Sequence, residues 1–155
     1  MTGATIVRHI DAPVDTVFRY ATDLANASKR IRGIKKLEVL TPGPIRVGTR
    51  FKETRIMFKR EASEVMEITA LDAPRSYVVG CENHGCRYRT EFTFSPDRSG
   101  TNVSMYFGAE PLTFMTRIMS LLMKPMMKSC LKEMGKDLDD LKAAIEGDRA
   151  GSGTG

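Results

Sequence analysis

The chain of 155 residues has no tryptophan, two histidines and three cysteines. Neither His9 nor His84 has a serine or cysteine partner at a motif spacing, so the sequence supports no hydrolase triad. An odd number of cysteines without framework spacing excludes a disulfide scaffold and fits a reducing compartment.

Long uncharged apolar runs are also missing. A run of about 18 such residues is needed to cross a bilayer, and Arg117, Lys124 and Lys128 interrupt the only candidate. The N-terminus carries Arg8 and Asp11 and no apolar run of signal-peptide length. We therefore expect a cytoplasmic protein that meets a membrane at most transiently.

The formal net charge is +5 and the pI is about 9.2. Basic residues cluster between Lys29 and Lys36, but no aromatic side chains are interleaved to stack on bases. A nucleic-acid partner is thus not expected, because such a run is usually a solvated face. Contact of this cluster with an anionic ligand or lipid headgroup stays open, and its role is undefined.

A short stretch, Cys81, His84 and Cys86, resembles part of a metal site. It falls on a tight turn, and its only further cysteine, Cys130, already has a place on a helical apolar stripe. A plain hairpin with two cross-strand thiols is the better interpretation. We predict neither a metal nor a cofactor.

What the sequence does contain is a helical pattern from Leu112 to Glu146, where apolar residues recur in steps of three and four. Six of the ten methionines lie in it. A second apolar stripe widens its N-terminal half, and Pro125 predicts a bend. We expect the residues up to Met127 to roof a cavity and those from Leu131 to hold the helix on the sheet. From Gly147 the tail, which has nothing to bury, is predicted to be disordered.

Before this helix the pattern is mainly that of strands. Residues 4–10 alternate as a first strand, a short helix or two follow Pro13, and 36–41 form a second strand. From Val47 to about Gly108 the apolar period is two, with turn signals that suit antiparallel strands. A four-residue turn at 82–85 places Cys81 opposite Cys86, and the next turn places Phe92 opposite Val103.

Three charged residues lie on the third and fourth predicted strands. A two-residue turn at 58–59 pairs Glu53 with Glu64 and Phe51 with Met66, which turns Glu53, Arg55 and Glu64 inward. Neighbouring carboxylates raise each other's proton affinity and an arginine lowers it, as in a general acid or a clamp for a polar ligand group. A turn longer by one residue would instead leave them as surface charges.

Several stretches together resemble the START-like, helix-grip superfamily, in its polyketide cyclase/dehydrase and lipid-transport branch (SRPBCC). They are IDAPVDTVFRYATDLAN, GPIRVGTRF, ITALDAPRSYVV and LDDLKAAIE, within residues 4–146. The resemblance implies an α+β domain over 1–146, with a curved seven-stranded antiparallel sheet wrapped around a long C-terminal helix. It also implies a deep apolar cavity. Relatives often carry an aromatic residue after the first helix, and the absence of one between Ala27 and Gly33 implies a different entrance.

Three functions remain. The favoured one is a carrier or sensor of a hydrophobic small molecule such as a lipid or polyketide, held between sheet and helix. The second is a cyclase or dehydratase that uses an inward carboxylate, with Glu53, Arg55 and Glu64 as candidate catalytic residues. The third is a ligand-free interaction or co-chaperone module. The residues predicted to bind a ligand are Phe51, Glu53, Arg55, Met66, Tyr77, Tyr88, Thr90, Phe92, Met105, Phe107, Met115, Met119, Leu122, Met123 and Met126.

The methionine-rich helix allows two further interpretations. Methionine is adaptable, which suits the wall of a cavity with variable contents, but an apolar helical stripe is more commonly plain core. A membrane-surface role for the lysine-bearing helix is the least favoured, because the sheet would lose its cover if the helix left it.

Overall fold

The computed structural model describes residues 2–57, 59–122 and 124–152. Their strands are β1 (Thr2–Ile10), β2 (Ile34–Val39), β3 (Arg50–Met57), β4 (Arg60–Asp72), β5 (Ser76–Asn83), β6 (Cys86–Asp97) and β7 (Gly100–Pro111). The helices are α1 (Val14–Ala21), α2 (Ala27–Arg30), α3 (Phe114–Leu122) and α4 (Lys124–Ser152), with a 3₁₀ turn at Leu24–Asn26.

The seven strands form one antiparallel sheet in the order β1-β7-β6-β5-β4-β3-β2, and α4 lies along its inner face. This is the predicted α+β helix-grip fold. The element boundaries differ slightly from those predicted, and β2 ends at Val39 rather than at Thr41. It ends there because Leu40 and Thr41 both donate backbone hydrogen bonds to the carbonyl of Arg50, which breaks the regular ladder.

The register predicted for β3 and β4 is confirmed. The pairs are Phe51 with Met66, Glu53 with Glu64, Arg55 with Ala62 and Met57 with Arg60. Position 58, in the turn, lies outside the described residues. Because this register is the predicted one, the side chains of Glu53, Arg55 and Glu64 share a sheet face with Phe51, which is buried in the core.

The register predicted for the next two hairpins is wrong by two residues. Cys81 lies opposite Tyr88 rather than Cys86, and Phe92 lies opposite Met105 rather than Val103. Both turns are shorter than expected, since His84 and Arg98 adopt positive φ angles (49° and 57°) that allow two-residue turns. A shift by an even number of residues keeps every side chain on its predicted face.

The core lies between α4 and the concave face of the sheet, with α1 closing one end. The α4 side chains Leu138, Leu141 and Ile145 are at most 5% exposed. Around them are the other members of the core: Ile10, Ala12, Val17, Phe18, Phe51, Ile68, Tyr77, Phe94, Val103 and Met105. Polar contacts hold the outer side of α4 to β1, where the Lys142 Nζ donates to the His9 carbonyl at 2.6 Å.

The helix predicted from Leu112 to Glu146 corresponds to two described helical ranges. The first, α3, ends at Leu122, α4 begins at Lys124, and position 123 lies outside the described residues. Pro125 lies near the N-terminal end of the described range of α4. The bend predicted at this proline stays a prediction.

Past Gly147, where the sequence predicted disorder, α4 continues to Ser152. The first part of this segment does have partners. The Tyr20 hydroxyl donates to Asp148 Oδ2 at 2.6 Å, and the Arg149 guanidinium donates to the Asp11 carbonyl. Residues 153–155 lie outside the described residues.

Removal of one α4 core side chain tests how much this helix stabilises the fold. We expect Leu138→Ala to lower the free energy of unfolding by about 2–5 kcal/mol, because Leu138 is nearly fully buried and its loss leaves a cavity. Lys136→Ala, on the exposed side of the same helix, is the matched control. Urea denaturation of both variants measures the difference, and equal midpoints would contradict the central role of this contact.

Candidate functional site

A pocket of about 470 Å³ lies between the concave face of the sheet, the α1–α2 segment and α4. Most of its lining side chains are apolar, and its volume is within the range of about 300–1,000 Å³ that is usual for small-molecule sites. The sheet contributes Ile34, Leu37, Phe51, Glu53, Arg55, Met57, Ala62, Glu64, Met66, Ile68, Tyr77, Val79, Cys81, Tyr88, Thr90, Phe92, Met105 and Phe107. The helical side contributes Tyr20, Ala21, Leu24, Ala27, Arg30, Ile31, Cys130, Glu133, Met134, Asp137, Leu138 and Leu141.

All of the strand residues that were predicted to bind a ligand line this pocket, and so does Glu64. The predicted helix residues that the structure describes are not among the lining residues. Met115, Met119 and Leu122 are exposed, Met126 is not among the lining residues, and Met123 lies outside the described part of the chain. The structure therefore brings together the sheet half of the predicted site and replaces its helix half.

The roof of the pocket is formed by the C-terminal part of the helical region rather than by its N-terminal part. Met134, Leu138 and Leu141, expected only to hold the helix on the sheet, cover the pocket. None of the residues of α3 is buried, so this part of the helical region does not cover the pocket. The widest apolar stripe of the sequence consequently lies outside the pocket.

A buried ionic cluster gives the pocket its main polar feature. Arg55 donates from Nε to Glu53 Oε1 at 2.6 Å and from a terminal guanidinium nitrogen to Asp137 Oδ2 at 2.9 Å. The side chains of Glu53, Arg55 and Asp137 are only 11%, 17% and 19% exposed. Although burial alone lowers the pKa of Arg55, the charges of Glu53 and Asp137 outweigh it and the pKa lies above its ordinary value. One cation thus joins two carboxylates inside the pocket.

Asp137 is the least ordinary acid of this cluster. Burial, opposed by the charge of Arg55 and reinforced by that of Glu53, raises the pKa of Asp137 to about 6. Sequence reasoning missed this residue, because the apolar stripe was read without its polar members. Asp137 lies three residues after Met134 and four before Leu141, so the helical period already places it toward the sheet.

Glu64 has a different set of partners, although it lies directly opposite Glu53 in the sheet. It accepts a hydrogen bond from Asn83 Nδ2 at 2.9 Å and a longer one from Cys81 Sγ at 3.3 Å. These contacts lie where pairing between β4 and β5 has ended, since the ladder reaches only to Glu67 and Gly80. The carboxylate pair that shares an arginine is therefore Glu53 with Asp137, not Glu53 with Glu64.

Three lining residues keep their protons over the ordinary pH range. Burial, and to a smaller extent the charge of Glu53, raises the pKa of Tyr77. Burial is also the main cause that raises the pKa of Tyr88 and the pKa of Cys81, each to about 12. They are hydrogen-bond donors rather than anions, and Tyr77 also stacks on Phe92 with ring centroids 4.6 Å apart.

The basic cluster from Lys29 to Lys36 is largely paired within the protein. Arg30 binds Asp23 at 3.0 Å and lies over the ring of Tyr20, and Arg32 binds Asp140 at 3.1 Å. Further ion pairs join Lys35 to Glu61 and Lys36 to Glu38. The Arg32 pair ties the residues after α2 to α4, and the two lysine pairs lie within the sheet, so the cluster has a structural use.

Comparison with known proteins agrees with the fold. The sequence profile of the family described as polyketide cyclase/dehydrase and lipid transport matches residues 1–146. The chain belongs to this family. No curated protein sequence matches the chain significantly.

Solved structures similar to this one support the fold. The protein TTHA0849 of Thermus thermophilus is 21% identical, with 95% of this chain and 99% of that chain covered and a TM-score of 0.74. The major latex-like protein 151 of Panax ginseng is 14% identical, with coverage of 93% and 97% and a TM-score of 0.76. A Staphylococcus aureus protein of unknown function, SA2116, is 12% identical, with coverage of 96% and 96% and a TM-score of 0.72. At such identities the likeness shows the fold alone.

Within the described residues, no helix is both long and apolar enough to cross a membrane. The same part of the chain contains no group of three or more His, Cys, Asp or Glu side chains that could hold a metal ion.

The raised pKa of Asp137 predicts how stability depends on pH. The folded protein binds this proton more tightly than the unfolded chain, so Asp137 favours folding where it is protonated. That contribution is lost as pH rises from about 4 through about 6. Relative to Asp137→Asn, which cannot ionise, the wild type should lose up to roughly 3 kcal/mol of unfolding free energy between pH 4 and pH 7.

Urea denaturation of both proteins across this range is the measurement. Asp139→Asn, which removes an exposed carboxylate from the same helix, is the matched control for the loss of one negative charge. A difference between wild type and Asp137→Asn that stays constant with pH would show that Asp137 does not titrate in this window.

Proposed function

We propose that the protein binds a hydrophobic small molecule, such as a lipid or polyketide, in the pocket between sheet and α4. The observation that carries this proposal is the combination of a largely apolar pocket with one buried polar cluster at its wall. Apolar walls supply affinity, and a few fixed polar groups orient the ligand. An open pocket favours this function over a ligand-free interaction module, for which a filled core is expected.

The charge of the cluster indicates which polar group the ligand carries. When both carboxylates are ionised, Glu53, Arg55 and Asp137 sum to one negative charge in a buried site. A ligand carboxylate would be repelled there, whereas a hydroxyl group could donate a hydrogen bond to Glu53 or Asp137. The preferred ligand is therefore a neutral hydrophobic molecule with a hydroxyl group.

A matched pair of probes tests this preference. Dodecanol and dodecanoate have the same chain and differ in the charge of the polar end. At pH 8 we expect dodecanol to displace the neutral dye Nile red at a concentration lower by about tenfold or more. At pH 6, where Asp137 takes up a proton, the difference in displacing concentration between dodecanol and dodecanoate should become smaller. Preference for dodecanoate at pH 8 would contradict the assigned polarity.

Two valine substitutions then localise the binding. Val79 lines the pocket, whereas Val65 is exposed on the opposite face of the sheet, outside that lining. Val79→Phe should fill part of the pocket and weaken dodecanol binding by about tenfold, because a ligand of that size loses apolar contact area. Val65→Phe should bind as the wild type does. Equal binding by both variants would place the ligand elsewhere and overturn the proposal.

Asp137 also favours a second candidate function, proton transfer of the cyclase or dehydratase type. A carboxyl group with a pKa of about 6 inside an apolar pocket is suited to give and take a proton near neutral pH. Glu53 and Arg55 would then hold the substrate and the acid in place.

Deuterium exchange tests proton transfer without knowledge of the natural substrate. In D₂O the wild type should speed incorporation of deuterium at the acidic carbon of an aromatic β-diketone, as measured by NMR. Asp137→Asn should lower that rate by about a hundredfold or more while still displacing Nile red with dodecanol. If the wild type incorporates deuterium no faster than buffer alone, proton transfer is contradicted and ligand binding is the function that stands.

A further inference from the structure

The α3 helix exposes its apolar side chains. Phe114, Met115 and Leu122 are 77%, 70% and 72% exposed. The other apolar members of the helix, Ile118, Met119 and Leu121, are at least 46% exposed. With 3.6 residues per turn, all of them lie on one broad side of the helix, with Thr116, Arg117 and Ser120 on the other. An exposed apolar patch of this kind marks an interaction site.

Hydrogen bonds attach the polar side of α3 and the residues just before it to the rest of the domain. The Thr116 hydroxyl donates to the Gly85 carbonyl at 3.1 Å, and the Leu112 backbone N–H donates to the same carbonyl at 2.8 Å. The Thr116 side chain is packed so closely that a Cβ at Gly85 would lie 2.8 Å from it. These contacts leave the apolar side of α3 directed to solvent.

The charged residues within the α3 stretch of the chain have one sign. From Pro111 to Lys132 the chain has four basic residues, Arg117, Lys124, Lys128 and Lys132, and no acidic residue. All four are exposed. A second copy of the chain seated symmetrically on this surface would bring these like charges together, at an electrostatic cost. A surface of anionic lipids would instead satisfy both the apolar side chains and the cations.

We propose that α3 is a membrane-docking element. Its apolar side chains enter the headgroup and acyl boundary of an anionic bilayer, and Arg117, Lys124 and Lys128 contact the lipid phosphates. This does not depend on what the pocket binds. Nor does it uncover the sheet, because the roof of the pocket belongs to α4. The turn at Gly85, to which α3 is bonded, joins β5 and β6, and both strands contribute residues to the pocket.

The absence of tryptophan makes the test direct, because a single introduced indole reports its own surroundings. We expect the fluorescence of Phe114→Trp to shift to shorter wavelength with vesicles of equal parts phosphatidylcholine and phosphatidylglycerol. Pure phosphatidylcholine should give a much smaller shift, and high salt should reduce the shift on anionic vesicles. In Val47→Trp, exposed elsewhere on the domain, the same vesicles should leave the emission unchanged.

Vesicle sedimentation of variants without the added tryptophan separates the apolar contribution to vesicle binding from the electrostatic one. Leu121→Ser/Leu122→Ser should weaken partition into anionic vesicles by about tenfold or more, since both apolar side chains are lost. Lys124→Gln/Lys128→Gln should weaken it and lower its dependence on salt. Ile56→Ser, an exposed apolar position on β3, is the control that should bind as the wild type does.

Two results would overturn the proposal. One is partition into anionic vesicles that is absent, or that the α3 variants leave unchanged. The other is a dimer in sedimentation velocity that Leu121→Ser/Leu122→Ser abolishes, since a second copy of the chain would then cover this surface.

Discussion

The contact between α4 and the concave face of the sheet is the constraint on which the rest of the structure depends. Leu138, Leu141 and Ile145 seat one half of the helix firmly in the core. The curvature of the sheet and the short α1–α2 segment leave space beside this contact, and the side chains around it define the pocket. A sheet that is apolar on one face requires such a cover, and one helix cannot fill its whole concave side. The pocket is thus a direct consequence of how the core is built.

Within that arrangement, the Glu53–Arg55–Asp137 cluster is an expensive feature. Buried ion pairs often contribute little net stability, because desolvation of the charges offsets their attraction. Two carboxylates that share one arginine increase the desolvation cost, and the raised pKa of Asp137 is a consequence of that cost. The cluster joins β3 to α4 across the pocket. A change in the polar contents of the pocket would therefore act on the contact between α4 and the sheet. Under the proposed function, the cluster serves recognition of a ligand rather than stability.

The predicted fold was correct because it rested on agreement between independent local signals. The register of β3 and β4 could be derived from a two-residue turn, and it correctly turned Glu53 and Arg55 inward. The register predicted for the next two hairpins differs from the observed one by two residues. Turn residues such as His84 can adopt a positive φ angle that composition does not reveal. The predicted side-chain faces are nevertheless correct, because side chains alternate with a period of two along a strand and the register differs by two residues.

The sequence by itself determined which faces are apolar: one face of each strand, and one stripe along each helix. Only the tertiary structure decided which of those faces meet. Met115 and Met119 belong to the same apolar stripe of the sequence as Leu138, yet they are exposed to solvent, whereas Asp137 lines the pocket. The physical reason is that periodicity fixes direction about a helix axis, whereas the path of the axis depends on contacts far apart in the chain.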